Sequence, residues 1–347
     1  MAPINPRPWI KSAVLTAAFA LSPLPGAAAP AVEKTGGPES CAECHLQEIE
    51  AWKLSTHFKT LNTMNRRPEA AAILAKLGLK DMKTAAQCTE CHYTSELING
   101  HSEVTAGVAC ESCHGAGADW IKIHGDYGQG FTKATEPAEH RTTRRATAIA
   151  KGMLNPDNLY VVGANCYGCH ILNDEKTANV GGHSPGSAGF ELLSWSQGEV
   201  RHTILSHDNK ANPVATPEHQ RMLFVVGCIL ETEFGFRATA RATEKAAYGI
   251  ASARRADAAR KLLAKIQALA PTPELAPIVA LAQATGLRLN NAAELTAAAD
   301  RIAALGSAFA THVTGDRLAG IDPLLPGAAQ FKGTPYEVVA KPVVAKP

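Results

Sequence analysis

From Thr216 onward, apolar residues recur at helical spacing, first as Leu223, Val226, Leu230 and Phe234, then as Leu295, Ala298, Ile302 and Leu305. Steps of three and four place each set on one helix face, so three or four long helices with an apolar stripe, packed antiparallel, are expected. Their starts are marked: Thr216-Pro217 and Thr272-Pro273 read as a cap followed by a first-turn proline, and Asn290 and Asn291 precede another start. Earlier in the chain the helical pattern is broken into short pieces. Ser40 stands before Cys41, Pro68 opens and Gly78 closes an Ala-rich stretch, and Gly125 follows His124. No strand-like alternation survives over six residues. The expected fold class is mainly α: short helices and loops over 38–210, a C-terminal α-helical bundle over 216–325 packed on them, and an extended Pro/Val/Lys-rich tail over 333–347.

The N-terminus follows a different logic. Arg7 and Lys11 precede an apolar run from Ala13 to Leu24, and small residues from Gly26 to Ala31 resemble a cleavage site, so residues 1–31 read as a secretory signal peptide. The run is short and broken by Pro23 and Pro25, too brief for a permanent membrane span, and no later segment approaches eighteen consecutive apolar residues. The mature protein is therefore expected to be soluble, without a stable membrane anchor, in a periplasmic or extracellular space that permits oxidised thiols. With 46% hydrophobic and 19% charged residues in 347, the chain can build one large or two modest globular domains, which excludes disorder and collagen. Loss of Arg7 and Lys11 would take the net charge from +2 to zero, and no basic stripe points to nucleic acid.

The cysteines carry the chemistry. Eight of the nine form Cys41-Ala-Glu-Cys44-His45, Cys88-Thr-Glu-Cys91-His92, Cys110-Glu-Ser-Cys113-His114 and Cys166-Tyr-Gly-Cys169-His170. Each matches the c-type haem attachment signature. Two thiols on one helical turn meet the two vinyl groups, and the adjoining imidazole is placed under the iron. Four such pentapeptides in one chain imply four covalently bound haem c groups. Zinc requires a closed tetrahedral ligand set and does not account for a histidine after every pair. Buried macrocycles also suit an aromatic content of only 5%, since they can fill part of the interior. The ninth cysteine, Cys228, has apolar neighbours and reads as a buried, inert thiol.

Each iron has a sixth position, and its occupancy separates a carrier from a catalyst. Nine histidines remain for it: His57, His101, His124, His140, His183, His202, His207, His219 and His312. If one helix ran from His45 to His57, the two would stand roughly 18 Å apart along it, so His57 should reach a neighbouring haem. The same argument applies to His124, ten residues beyond His114 and on an expected helix with Trp120. His202 lies in a helix-like stretch from Gly189, and His183 in a Gly-rich turn; either could be a distal ligand. Met64, Met82, Met153 and Met222 read as core packing rather than axial ligands. Trp52, Trp120 and Trp195 read as haem walls or core, and Gly125-x-x-Gly128-x-Gly130 as a turn, not a phosphate loop, because no strand precedes it.

Residues Cys41 to His57 with Trp52, the block Gly107-Val108-Ala109-Cys110-Glu111-Ser112-Cys113-His114-Gly115 running on to His124, and Cys166 to His170 resemble the tetrahaem cytochrome c-554 family in the same order, over about residues 38 to 205. The resemblance implies a mainly helical periplasmic electron carrier with closely packed haems. It implies three irons held between two histidines and one with an open sixth position, the open one belonging to the motif Cys88 to His92. It maps distal ligands onto His57 and His124 and a third onto His202, leaving His183 as an extra candidate that would close the fourth haem. The expected function is electron transfer between redox partner proteins rather than enzymatic catalysis. The alternatives are a haem reductase or oxidoreductase acting on nitric oxide, hydroxylamine or nitrite at one five-coordinate iron, and a protomer of a homo-oligomeric conducting filament.

Overall fold

A computed structural model of the chain describes residues 30–338. Nearly all of the expected signal segment, and residues 339–347 of the expected tail, lie outside the described residues.

The front half is a succession of short helices whose ends follow from local chemistry. The helix Leu46–Leu54 stops at Ser55, which is extended, and the Ser55 hydroxyl accepts from Phe58 N at 3.2 Å to start the next helix, Thr56–Thr63. No single helix therefore joins His45 to His57. Pro68 opens the helix Pro68–Leu77, and Gly78 closes it in the left-handed conformation that glycine adopts without strain.

The reading without strands needs correcting. Thr94–Ile98 and His101–Ala106 pair as an antiparallel hairpin. Asn99 and Gly100 carry the positive φ angles, 51° and 81°, that a two-residue hairpin turn of matching twist requires. The hairpin tip stands clear of the body, with Leu97 and Ile98 exposed. No continuous buried face forced alternation on these residues, and the Asn-Gly pair was the signal to read.

The expected helix over Gly189 to His202 is also shorter, spanning only Leu192–Ser196. Lys332 N donates to Ser194 O at 3.0 Å and Lys332 O accepts from Glu199 N at 2.8 Å. The segment crossing here thus takes backbone groups that a longer helix would use, and a Cβ on Gly198 would meet Lys332 O at 1.9 Å. His202 consequently sits in a loop.

The back half contains three long helices, Pro217–Arg241, Ala247–Leu269 and Ala292–His312, and a short one, Ala276–Ala284. Thr216 caps the first as expected, its side chain accepting from His219 N at 3.3 Å. Thr272-Pro273 does not open a helix directly: Thr272 Oγ1 accepts from Leu275 N in a turn, and the helix starts at Ala276. Pro217–Arg241 also lacks the expected single apolar face. Every residue from Met222 to Leu230 is buried, because the helix runs between Leu159–His170, Ala247–Leu269, Ala292–His312 and the 3-10 segment Gly315–Leu324.

This central position makes the core continuous across the expected boundary between 210 and 216. Tyr160, Tyr167, Leu192 and Leu193 from the motif-bearing half join Val225, Val226, Ile229 and Leu230 in one buried cluster. Gly306 is required where Ala292–His312 crosses it, since a Cβ there would meet Tyr160 Cε2 at 2.4 Å and Ile229 Cγ2 at 2.8 Å. A polar network crosses the same seam from the interior outward: the Tyr160 hydroxyl donates to the buried Glu233, which pairs with Arg237, and Arg237 Nη1 reaches the exposed Asp300 at 2.8 Å. The front half has a much smaller apolar cluster of its own, centred on Met82, Ala85, Cys88 and Tyr93. It is instead dense in cysteine and histidine.

Candidate functional site

Each Cys-x-x-Cys-His motif lies on or beside a short helix: Glu39–Ala42 before His45, Ala86–His92, Cys110–His114, and the C-terminal end of Leu159–His170. Helical geometry turns both thiols of a pair and the following ring toward the same side. All nine cysteines are free thiols, and among the described residues no three His, Cys, Asp or Glu side chains converge on an ion-sized point.

Every motif histidine faces a second histidine from elsewhere in the chain. His45 lies opposite His124, with ring centres 6.1 Å apart; His57 opposite His170 at 6.2 Å; His92 opposite His183 at 6.1 Å; and His114 opposite His202 at 6.1 Å. A metal–imidazole bond of about 2.0–2.1 Å, with each ring centre about 1 Å behind its nitrogen, puts two rings on one metal roughly 6 Å apart. The four distances match the separation that two imidazoles sharing one iron would need. His183 lies opposite the second motif, the one the resemblance left open, and the fourth motif is faced by His57. His101, His140, His207, His219 and His312 take no part in these pairs.

The rings are oriented from behind. Nδ1 lies 2.6 Å from Ile121 O in His124, 2.6 Å from Val200 O in His202, 2.7 Å from Ser184 O in His183 and 2.8 Å from Ser187 Oγ in His170. With Nδ1 so engaged, Nε2 is left as the lone-pair nitrogen turned to the partner ring. Burial, reinforced by the facing histidine, pushes His92, His114 and His170 down to about 4, so these imidazoles are neutral at pH 7, the form that ligates metal.

Polar side chains that no motif announced hold the segments in place. Thr60 Oγ1 lies 2.8 Å from both His57 O and His92 O, tying ligands of two different pairs. Asn165 Nδ2 donates to Cys113 O at 3.1 Å and joins the third motif to the fourth. Glu111, inside the third motif and buried, accepts from Gly36 N, Gly37 N and Gly117 N. The His124 loop is anchored by Arg144, which donates to His124 O and is gripped by both oxygens of the buried Glu136 at 2.7 Å. Arg144 foremost, with His140, holds the Glu136 carboxyl down to about 2. Its contribution to stability is complete above the ordinary carboxyl value of 4.5 and disappears as pH falls toward 2. Glu136→Gln should therefore lower the melting temperature at pH 7, by a difference that shrinks as pH falls from 4.5 through 2. Equal melting of the two proteins at pH 7 would count against the anchor.

The motifs also touch one another. Glu111 of the third motif holds Gly36 N and Gly37 N, just ahead of the first motif, at 3.0 and 2.9 Å. The Cys169 thiol donates to Glu90 O at 3.9 Å, joining the fourth motif to the second, as Asn165 joins the third to the fourth. In space the motifs thus run first, third, fourth, second.

The surroundings fit haem c. Trp120 Nε1, Trp195 Nε1 and Arg201 Nε are buried donors without partners. Trp120 is 5.1 Å from the His124 ring, Trp195 is 6.3 Å from that of His170, and Arg201 precedes His202. Unpaired buried donors are costly, and carboxylates such as haem propionates would satisfy them. Trp52 is already satisfied, donating to Val108 O at 2.8 Å.

Residues 40–115 match the family model described as cytochrome c554 and c-prime. Over 157 residues the chain is 28% identical to cytochrome c-554 of Nitrosomonas europaea, an alignment covering 43% of this chain and 62% of that relative. The chain thus spans less than two thirds of the relative's length. No solved structure matches it.

Proposed function

We propose that the chain is a cytochrome c-554 family member and a tetrahaem electron carrier in which every iron would be held between two histidines. The observation that carries this reading is the set of four ring pairs, His45/His124, His170/His57, His92/His183 and His114/His202, all at 6.1–6.2 Å. Haem c, when bound, supplies reversible one-electron chemistry at iron. Cys41 with Cys44, Cys88 with Cys91, Cys110 with Cys113, and Cys166 with Cys169 would fasten the four macrocycles. The paired imidazoles would fill both axial positions, leaving no site at which a small substrate meets metal. That favours transfer over catalysis. The Glu111–Gly37 link, the Asn165 bridge and the Cys169–Glu90 hydrogen bond support a side-by-side arrangement of neighbouring attachment motifs, as a short relay requires.

We place the carrier in the periplasm or outside the cell, serving protein donors and acceptors. No helix among the described residues is long and apolar enough to cross a membrane. Intact mass and a pyridine haemochrome assay on secreted protein should count four haems. Electron paramagnetic resonance should show low-spin iron throughout, and carbon monoxide should leave the reduced spectrum unchanged. Bare polypeptide would end the proposal, and a stoichiometric carbon monoxide shift would restore the catalytic alternative.

A further inference from the structure

Among the eight paired histidines, His45 has a distinctive neighbour behind its ring. His124, His183 and His202 present Nδ1 to neutral backbone carbonyls, and His170 presents its own to a hydroxyl. His45 Nδ1 instead faces a carboxylate, Glu48 Oε2, at 3.9 Å. That carboxylate is held from the far side, because Glu48 Oε1 accepts from Leu205 N at 2.6 Å. The Glu48 side chain is only 11% exposed, and Oε2 is buried with no hydrogen-bond partner. A buried, unpartnered carboxylate oxygen is costly, and the His45 ring N–H is the donor it faces.

The position has an electronic consequence. Negative charge behind an axial imidazole makes the ligating nitrogen a better electron donor, which stabilises oxidised iron more than reduced iron. Low local polarity strengthens the effect, and water screens it little at a buried carboxylate. Resting on the four-haem reading above, we infer that Glu48 is a positioning and tuning residue that lowers the reduction potential of the iron held by His45. The first motif stands at one end of the spatial row, so this end becomes the one from which electrons depart toward the third, fourth and second sites.

The test is a potentiometric titration of the full-length haem-loaded protein, wild type and Glu48→Gln, followed by visible and electron paramagnetic resonance spectra. Glutamine keeps an oxygen for Leu205 N and nearly the same volume, and removes only the charge. The lowest of the four potentials should rise by at least a tenfold change in its reduction equilibrium, about 59 mV for a one-electron couple. One low-spin signal should change its g-values while the others stay. Glu48→Asp, which keeps the charge on a shorter arm, should fall between the two. Four unchanged potentials in a Glu48→Gln protein with its haems in place overturn the inference, as does a shift confined to any potential but the lowest. A wild-type protein with fewer than four haems overturns the four-haem reading instead.

Discussion

Reduced protein carrying His183→Ala should bind about one carbon monoxide per chain, where the unmutated protein binds none. In the oxidised state one of the four iron signals should turn high-spin and the other three stay low-spin. The reason is local. His183 is presented on a turn closed by hydrogen bonds from Gly182 N to Ala178 O at 2.9 Å and from His183 N to Thr177 O at 3.1 Å. Its ring meets His92, and its Nδ1 is held by Ser184 O. Truncation to alanine removes the ring and leaves that backbone intact, and no other histidine ring stands opposite His92. The family resemblance led to the expectation of an open iron at this same motif, so the variant would recreate that state. Wild-type protein that already binds carbon monoxide with the same stoichiometry would show that His183 is not a ligand.

Ending the chain after Lys210 should abolish cooperative folding rather than release a stable haem domain. Val225, Val226, Ile229 and Leu230 are fully buried in the cluster that also contains Tyr160 and Tyr167. Fully burying a side chain of this size is worth about 1.5–3 kcal/mol, so these four alone contribute about 6–12 kcal/mol. That is comparable with the roughly 5–15 kcal/mol by which a domain exceeds its unfolded state. The cut also removes Arg255, whose Nη1 donates to His170 O and Ser187 O at 3.2 Å behind the fourth motif. Circular dichroism melts and haem content of the truncated protein test this directly. A sharp melt with four haems retained would establish that residues 38–210 form an independent domain and that the back half is dispensable.

The contrast between these two regions explains what could be read early. The attachment motifs were legible because covalent fastening of a macrocycle needs two thiols and an imidazole within five consecutive residues, a demand met entirely by local sequence. Helix starts with a satisfied cap, such as Thr216 before Pro217, were legible for the same reason. The candidates His57, His124, His183 and His202 could be named, but their partners could not. Ser55 breaks the helix between His45 and His57, and the crossing of Lys332 ends the helix before His202. The first is a local cap and the second a tertiary contact, and each redirects a ring. Glu48, Glu136 and Arg144 had no signature at all, since a single carboxylate or guanidinium acquires meaning only from what packs behind it.

Sequence alone therefore determined the chemistry available to this protein: four Cys-x-x-Cys-His motifs, a mainly helical chain and a surplus of histidines. Only the folded chain decided which histidine faces which, His183 against the second motif among them, and that the two halves share one interior. Bonds within a pentapeptide depend on neighbours along the backbone. Axial pairing and a continuous core depend on residues tens of positions apart, brought together by burial of the Pro217–Arg241 helix and by hydrogen bonds that no local pattern encodes.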